Sequence, residues 1–173
     1  MRGGATTPRW KAADVAERKI EIRLCGTGGQ GLRVAGAILA EAFKIEGLWV
    51  AQSQSYEPTS RGGMSRTDLV ASDGVVDYPL ATSLDCALIL DEIAAPPVSD
   101  MVKPRGLVVV DGERVPRPPD GDFALHSLAL GEATTALGNP RITNLVGLGA
   151  LTRLGKLCSD ASLDQAIQST MNT

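Results

Sequence analysis

The chain reads as an α/β domain built on one mostly parallel sheet flanked by helices, and three features of the sequence predict it. A short alternating run at residues 20–24 passes through a glycine-rich turn into a helical run at 32–44. Gly47 ends that helix, and Leu48-Trp49-Val50-Ala51 begins a second strand, which completes a β-α-β unit. Such a unit favours a parallel sheet with a right-handed crossover. Two further apolar runs, at 84–90 and 106–111, have the composition of strands buried on both faces.

With 173 residues the chain is one domain with enough length for a proper core. We place an N-terminal extension at 1–19 and the α/β domain at 20–173. The apolar fraction of 43% and charged fraction of 21% are ordinary for a globular protein. A net charge of -3 without a dense basic run argues against a nucleic-acid surface, and an aromatic content of 3% argues against base-stacking platforms. Nothing approaches the ~18 to 20 continuous apolar residues of a membrane span. The amino terminus lacks a secretory apolar core, so a cytoplasmic location is expected. Cys25, Cys86 and Cys158 are far apart and form no C-x-x-C pair, so the chain is expected to hold neither zinc nor an iron–sulfur cluster. All three are expected to be buried reduced thiols.

Taken in order, residues 10–19 have helical composition after a loose start. Within the helix at 32–44, Leu32, Ala35, Ile38, Leu39, Ala42 and Phe43 recur at the spacing of one buried face. Residues 54–64 are too polar and glycine-rich for a core. Residues 65–72 read as a strand, and Ser72-Asp73-Gly74 as a turn into Val75-Val76, a single antiparallel hairpin. Residues 92–102 hold a short helix whose Pro96-Pro97 belong near its start. Pro116, Pro118 and Pro119 mark a stiff surface connection, and 123–127 an edge strand. Helices are expected at 128–137 and 142–157. The second carries Gly147, Gly149 and Ala150 as a small-residue face, and Ser162-Leu163-Asp164-Gln165 has the form of a capping box for a last helix.

The turn Gly26-Thr27-Gly28-Gly29-Gln30-Gly31 is the candidate site. The first amides of a helix have no internal partner and carry partial positive charge, and glycines let a ligand come close. A glycine turn that only packs a helix on a sheet has the same sequence. A nicotinamide site would add an Asp or Glu at the end of the second strand. Gln52, Ser53, Gln54 and Ser55 stand there instead, which argues against NAD.

With these pieces placed, residues 22–167 resemble the gamma subunit, or gamma domain, of the 2-oxoacid:ferredoxin oxidoreductases. The resemblance rests on the glycine turn, on Ser55-Tyr56, and above all on Arg61-Gly62-Gly63 followed by Ser65. Asp85 ahead of an apolar strand and Asn144-Leu145-Val146-Gly147-Leu148-Gly149-Ala150 add to it. Two departures stand before Arg61, where Glu57 and Thr59 replace the family's usual glycine and glutamate. The resemblance implies a doubly wound α/β domain within a multisubunit enzyme that decarboxylates a 2-oxoacid, passes two electrons through iron–sulfur clusters and releases an acyl-coenzyme A. It places thiamine diphosphate, Mg and the clusters in partner chains (alpha, beta and ferredoxin-like subunits), and associates the gamma piece with coenzyme A.

On that basis Gly26, Thr27, Gly28, Gly29, Gln30 and Gly31 are expected to face coenzyme A phosphates, with a side-chain bond from Gln30 or Thr27. Arg61, beside Gly62 and Gly63, is expected to hold a phosphate or carboxylate, or else to bridge to a neighbouring subunit. Asn144 is either a helix N-cap after Ile142 or a bond to a loop near the ligand. Asp91 and Glu92 read as helix-start acids, and the single His126 as structural rather than a general base. No catalytic residue and no complete catalytic site is expected on this chain. A stand-alone nucleotide-binding or sensor module and a purely structural assembly subunit are the alternatives. Pyruvate, 2-oxoglutarate, branched-chain and aryl oxoacids all fit as the substrate.

Overall fold

In the computed structural model, which describes residues 19–57 and 63–172, strand β1 (Lys19–Thr27) lies at the centre of the sheet and is buried on both faces. The remaining strands are β2 (Trp49–Tyr56), β3 (Met64–Ser72), β4 (Leu84–Ile89), β5 (Val102–Asp111) and β6 (Phe123–Leu128). Their spatial order is β2-β3-β1-β4-β5-β6 in one six-stranded mixed sheet. Strands β1, β4, β5 and β6 pair in parallel, whereas β3 runs antiparallel to both β1 and β2. Helices α1 (Leu32–Ile45), α2 (Pro96–Ser99), α3 (Leu130–Ala136), α4 (Thr143–Gly155) and α5 (Asp160–Met171) flank it.

The α/β architecture expected from the sequence is therefore present, with two differences in how it is strung. In the β1-α1-β2 unit the two strands run the same way but are not neighbours, because β3 is inserted between them. The hairpin is formed by β2 and β3, not by β3 with Val75-Val76. After Ser72 the Ser72 hydroxyl accepts from the Gly74 amide, and Val75 points outward without joining the sheet. The physical reason is burial. Strand β3 carries Leu69 and Val70 fully buried on opposite faces and needs a neighbour on each side, whereas half-exposed β2 suits an edge.

Alternation along β1 sorts the core. Ile20, Ile22 and Leu24 join Leu39 and Phe43 of α1 and Leu148 and Leu151 of α4 in the larger core. Ile38, Leu39 and Phe43 are each fully buried, worth about 1.5–3 kcal/mol apiece. Gly36 lets α1 lie on β3, since a Cβ there would stand 2.5 Å from Thr67 Cγ2. Of the small residues in α4, Gly147 packs tightly on Leu88 and Leu130, while Gly149 faces open space rather than a neighbour. The opposite face of the sheet holds a smaller core with Cys25, Ala87, Ile89, Val108 and Val110, covered by α2 and the turn before it.

On that second face the polar residues of β1 are buried, not solvated. The Arg23 guanidinium donates to both oxygens of Asp68, Nε at 2.7 Å and Nη2 at 2.9 Å, with the side chains 3% and 1% exposed. Burial alone would lower the Arg23 pKa, but the Asp68 carboxylate outweighs it and raises it. Burial likewise pushes the Glu21 carboxyl up, and hydrogen bonds from Lys19, Ser83 and Thr82 outweigh it and hold it below the usual range.

The last helix starts earlier than the expected capping box. Ser159, not Ser162, is the N-cap, and its hydroxyl accepts from the Ser162 amide at 3.1 Å. The prolines at 96 and 97 do open α2, and Phe123–Leu128 is an edge strand, as expected. No helix among the described residues is long and apolar enough to cross a membrane.

Candidate functional site

The chain runs out from β1 to β2 on one side and from β4 to β6 on the other, so the sheet reverses direction between β1 and β4. A crevice outside the carboxyl ends of strands at such a point is where open α/β sheets bind ligands. The glycine turn lies there.

Its shape is set by close contacts that a side chain would block. The Gln30 amide oxygen accepts from Thr27 N at 2.7 Å, and its nitrogen donates to Leu90 O at 3.0 Å. Gln30 thus staples the turn to the end of β4 and is taken up within the protein. A Cβ on Gly26 would sit 2.1 Å from that same Gln30 oxygen. Gly28 lies against the Tyr56 ring, where a Cβ would be 2.9 Å away, and its amide donates to Gly63 O at 3.2 Å. The loop that carries Gly63 is therefore tied to the turn. Arg61 and Gly62 lie outside the described residues.

Gly29 and Gly31 adopt left-handed backbone, φ 88 and φ 70. Gly31 is the N-cap of α1 and offers no side chain to the first helical amides, which leaves them for a ligand. A Cβ on Gly29 would meet nothing within 4 Å, since it faces open space. Asn144 resolves in favour of the loop contact: it sits inside α4, buried, and its Nδ2 donates to Gly31 O at 3.0 Å. No side chain caps α4, whose N-cap is Ile142, and Asn139 caps only the 3-10 turn Pro140–Ile142 ahead of it, its side chain accepting from Arg141 N.

Gly29, Gln30 and Gly31 form one wall of a crevice of about 380 Å³, facing Leu90, Arg114, Arg141, Thr143 and Asn144. Sequence reasoning missed both arginines. Arg114 follows β5, with Nη1 3.9 Å from Asp91 Oδ2, too far for a tight pair. Arg141 is exposed and has no ion pair among the described residues. The signals were weak: an arginine just past a strand end, and one after Asn139-Pro140. Uncapped amides and two arginines make a surface suited to phosphates.

The cysteines lie outside the lining of the crevice. Burial pushes the thiols of Cys25, Cys86 and Cys158 up to about 12, so none is a thiolate near neutrality. Cys25 and Cys86 are buried, and Cys158 only half-buried. No group of three or more potential metal ligands occurs among the described residues. His126 lies in the middle of the edge strand β6, paired with Val109, and does not line the crevice.

Residues 21–173 match the model of the pyruvate ferredoxin/flavodoxin oxidoreductase family. The chain belongs to that family. It is similar to the 2-oxoglutarate synthase subunit KorC of Archaeoglobus fulgidus, 37% identical over 79% of this chain and 71% of the relative. It also resembles the pyruvate/ketoisovalerate oxidoreductases common subunit gamma of Pyrococcus furiosus, 32% identical over 88% and 87%. Among solved structures, a keto/oxoacid ferredoxin oxidoreductase gamma subunit from Geobacter sulfurreducens superposes with TM-score 0.79 at 37% identity, over 87% of this chain and 84% of that one. A 2-oxoglutarate:ferredoxin oxidoreductase from Magnetococcus marinus, with 2-oxoglutarate, coenzyme A and succinyl-CoA bound, shares the fold at TM-score 0.78 and 22% identity. This chain covers 89% of itself but 27% of that larger protein. The protein is thus a gamma-type subunit of a 2-oxoacid:ferredoxin oxidoreductase complex, as the glycine turn and the Arg61-Gly62-Gly63 stretch implied.

Proposed function

We propose that this subunit binds coenzyme A at the glycine crevice and presents it to the reaction centre of its partners, within an enzyme that converts a 2-oxoacid to an acyl-coenzyme A. The observation that carries the reading is the pairing of an uncapped helix start with two loosely held arginines across one crevice. The bound coenzyme A of the Magnetococcus relative supports it. Gly26, Thr27, Gly28, Gly29, Gln30, Gly31 and Gly63 shape the cradle, and Asn144 holds its helix end. Arg114 and Arg141 bind phosphate, and Arg61 is assigned the phosphate or carboxylate contact that its sequence context implies.

Alpha, beta and ferredoxin-like chains supply the rest, in a cytoplasmic complex in which residues 1–19 are an extension of the α/β domain. Thiamine diphosphate, with Mg, supplies the decarboxylation chemistry there, and iron–sulfur clusters take the two electrons. This chain contributes orientation: holding the carrier so that its thiol end lies beside the acyl group removes much of the entropic cost of their meeting. Relatives named for 2-oxoglutarate synthase, 33% to 37% identical, make 2-oxoglutarate the first substrate to assay.

The test uses the intact complex. Gly29→Ala puts a methyl group into the open side of the crevice, and Arg141→Gln removes a cation. Each is expected to raise the KM for coenzyme A about tenfold, the equivalent of ~1.4 kcal/mol, and to leave kcat at saturating coenzyme A nearly intact. An unchanged KM in both variants overturns the assignment.

A further inference from the structure

At the opposite edge of the sheet, where β1, β4 and β5 begin, lies a larger cavity of about 520 Å³. Its lining is apolar at Ile20, Leu107 and Leu157, with the exposed Leu154 beside them, and cationic at Lys19, Lys103, Arg105 and Lys156. The one carboxylate in the lining, Asp85, is already engaged by Lys103 Nζ and by the Glu21 amide, both at 2.8 Å. Lys19 pairs with Glu21 at 2.7 Å. Arg105, Lys156 and His126 have no ionic partner among the described residues.

Two of these residues hold unusual backbone. Arg105, φ 65, and Lys156, φ 50, are the non-glycine residues with left-handed backbone among those described, and both line this cavity. Left-handed positions favour glycine, and in each case a glycine is the immediate neighbour, Gly106 and Gly155. Those glycines are needed for packing: a Cβ on Gly106 would lie 2.7 Å from Val102 Cγ1, and one on Gly155 3.1 Å from Leu157. The left-handed positions themselves carry cations. Lys156 also complements the carbonyl end of α4, a reason that does not extend to Arg105 on its strand. Strained residues gathered around one cavity point to a site.

We propose that this cavity is a binding site for a small amphiphilic anion, a carboxylate or phosphate on an apolar body, with Arg105 and Lys156 on the charge and the leucines on the body. It is separate from the glycine crevice and does not rest on the coenzyme A reading.

His126, the single histidine of the chain, lines the cavity and reports on it. In the full chain, 4-phenylbutyrate is expected to shift the imidazole signals in histidine-selective NMR, saturably. The neutral 4-phenylbutanol and inorganic phosphate, each lacking one half of the chemistry, should bind at least tenfold more weakly. Arg105→Gly should lose at least tenfold in affinity for 4-phenylbutyrate while its thermal midpoint stays level or rises, and Lys156→Gly should lose affinity too. Equal binding of the alcohol or of phosphate overturns the proposal, as does unaltered affinity in Arg105→Gly. So does a signal abolished when the chain is assembled with its partner subunits, which would make the cavity a subunit contact.

Discussion

The crevice and the cationic cavity, at opposite ends of the sheet, solve one backbone problem with opposite residues, although at the cavity end the turn into β2 also falls on a glycine, Gly47. Where β1 and β4 finish, left-handed turns fall on Gly29 and Gly31; where β4 and β5 start and α4 ends, they fall on Arg105 and Lys156. A left-handed non-glycine residue costs about 1–2 kcal/mol. On the coenzyme A proposal the main-chain amides are the contact surface at the glycine end, and a side chain would bury it. At the cationic end the side chain is the contact, so the strain is retained. On the two proposals, residue choice at positive φ separates binding through the backbone from binding through side chains.

The comparison presumes a rigid sheet between the ends, and the largest expected effect tests that. Arg23 and Asp68 lie mid-strand on β1 and β3, bonded through two parallel contacts and almost fully buried. Asp68→Ala leaves the guanidinium buried without its partner, which should cost roughly 3–5 kcal/mol. Urea unfolding measures it. A loss below about 1 kcal/mol would mean that water reaches Arg23 and that the pair is no strut.

A smaller effect should be confined to one end. In Gly31→Ala the new Cβ falls 2.5 Å from Asn144 Nδ2 at a φ of 70. Left-handed strain of about 1–2 kcal/mol adds to the weakened Asn144 hydrogen bond, about 1 kcal/mol. Stability should fall by roughly 2–3 kcal/mol, and the KM for coenzyme A should rise in the complex. The response of His126 to 4-phenylbutyrate should not change. If it does, the two ends are coupled through β1 and the comparison has to be redrawn.

What could be read in advance follows the same division. The glycine turn was legible because conformational freedom is written locally, in the residues that must have it, and α1 because its buried face recurs every turn. The insertion of β3 was not, since strand order depends on which edges find burial across the whole sheet. Leu69 and Val70 hint at a central strand, but Val75-Val76 offered an equally apolar partner. Asn144 was legible as a residue but not in its role, which depends on reaching Gly31, 113 positions away. Arg114 and Arg141 come from separate loops and meet only in the fold. The cationic cavity is assembled from the starts of several strands and the end of α4, so no local window contains it.

The smallest effect separates strain from charge at the cationic end. Arg105→Gly and Lys156→Gly both relieve left-handed strain, about 1–2 kcal/mol, and both lose about 0.5–1 kcal/mol to glycine's greater freedom when unfolded. Lys156→Gly also forfeits a cation at the C-terminus of α4, worth about 0.3–1 kcal/mol. Arg105→Gly should therefore stabilise by about 0.5–1 kcal/mol, and Lys156→Gly by less, with a net near zero. Thermal unfolding at low and high salt tests the ranking, because salt screens the helix-end term and should bring the two variants together. If Arg105→Gly is instead destabilised, its side chain is holding in place the stretch of β5 between Val102 and Leu107, where its register with β4 shifts. The contrast between the two ends would then be one of packing, not of binding.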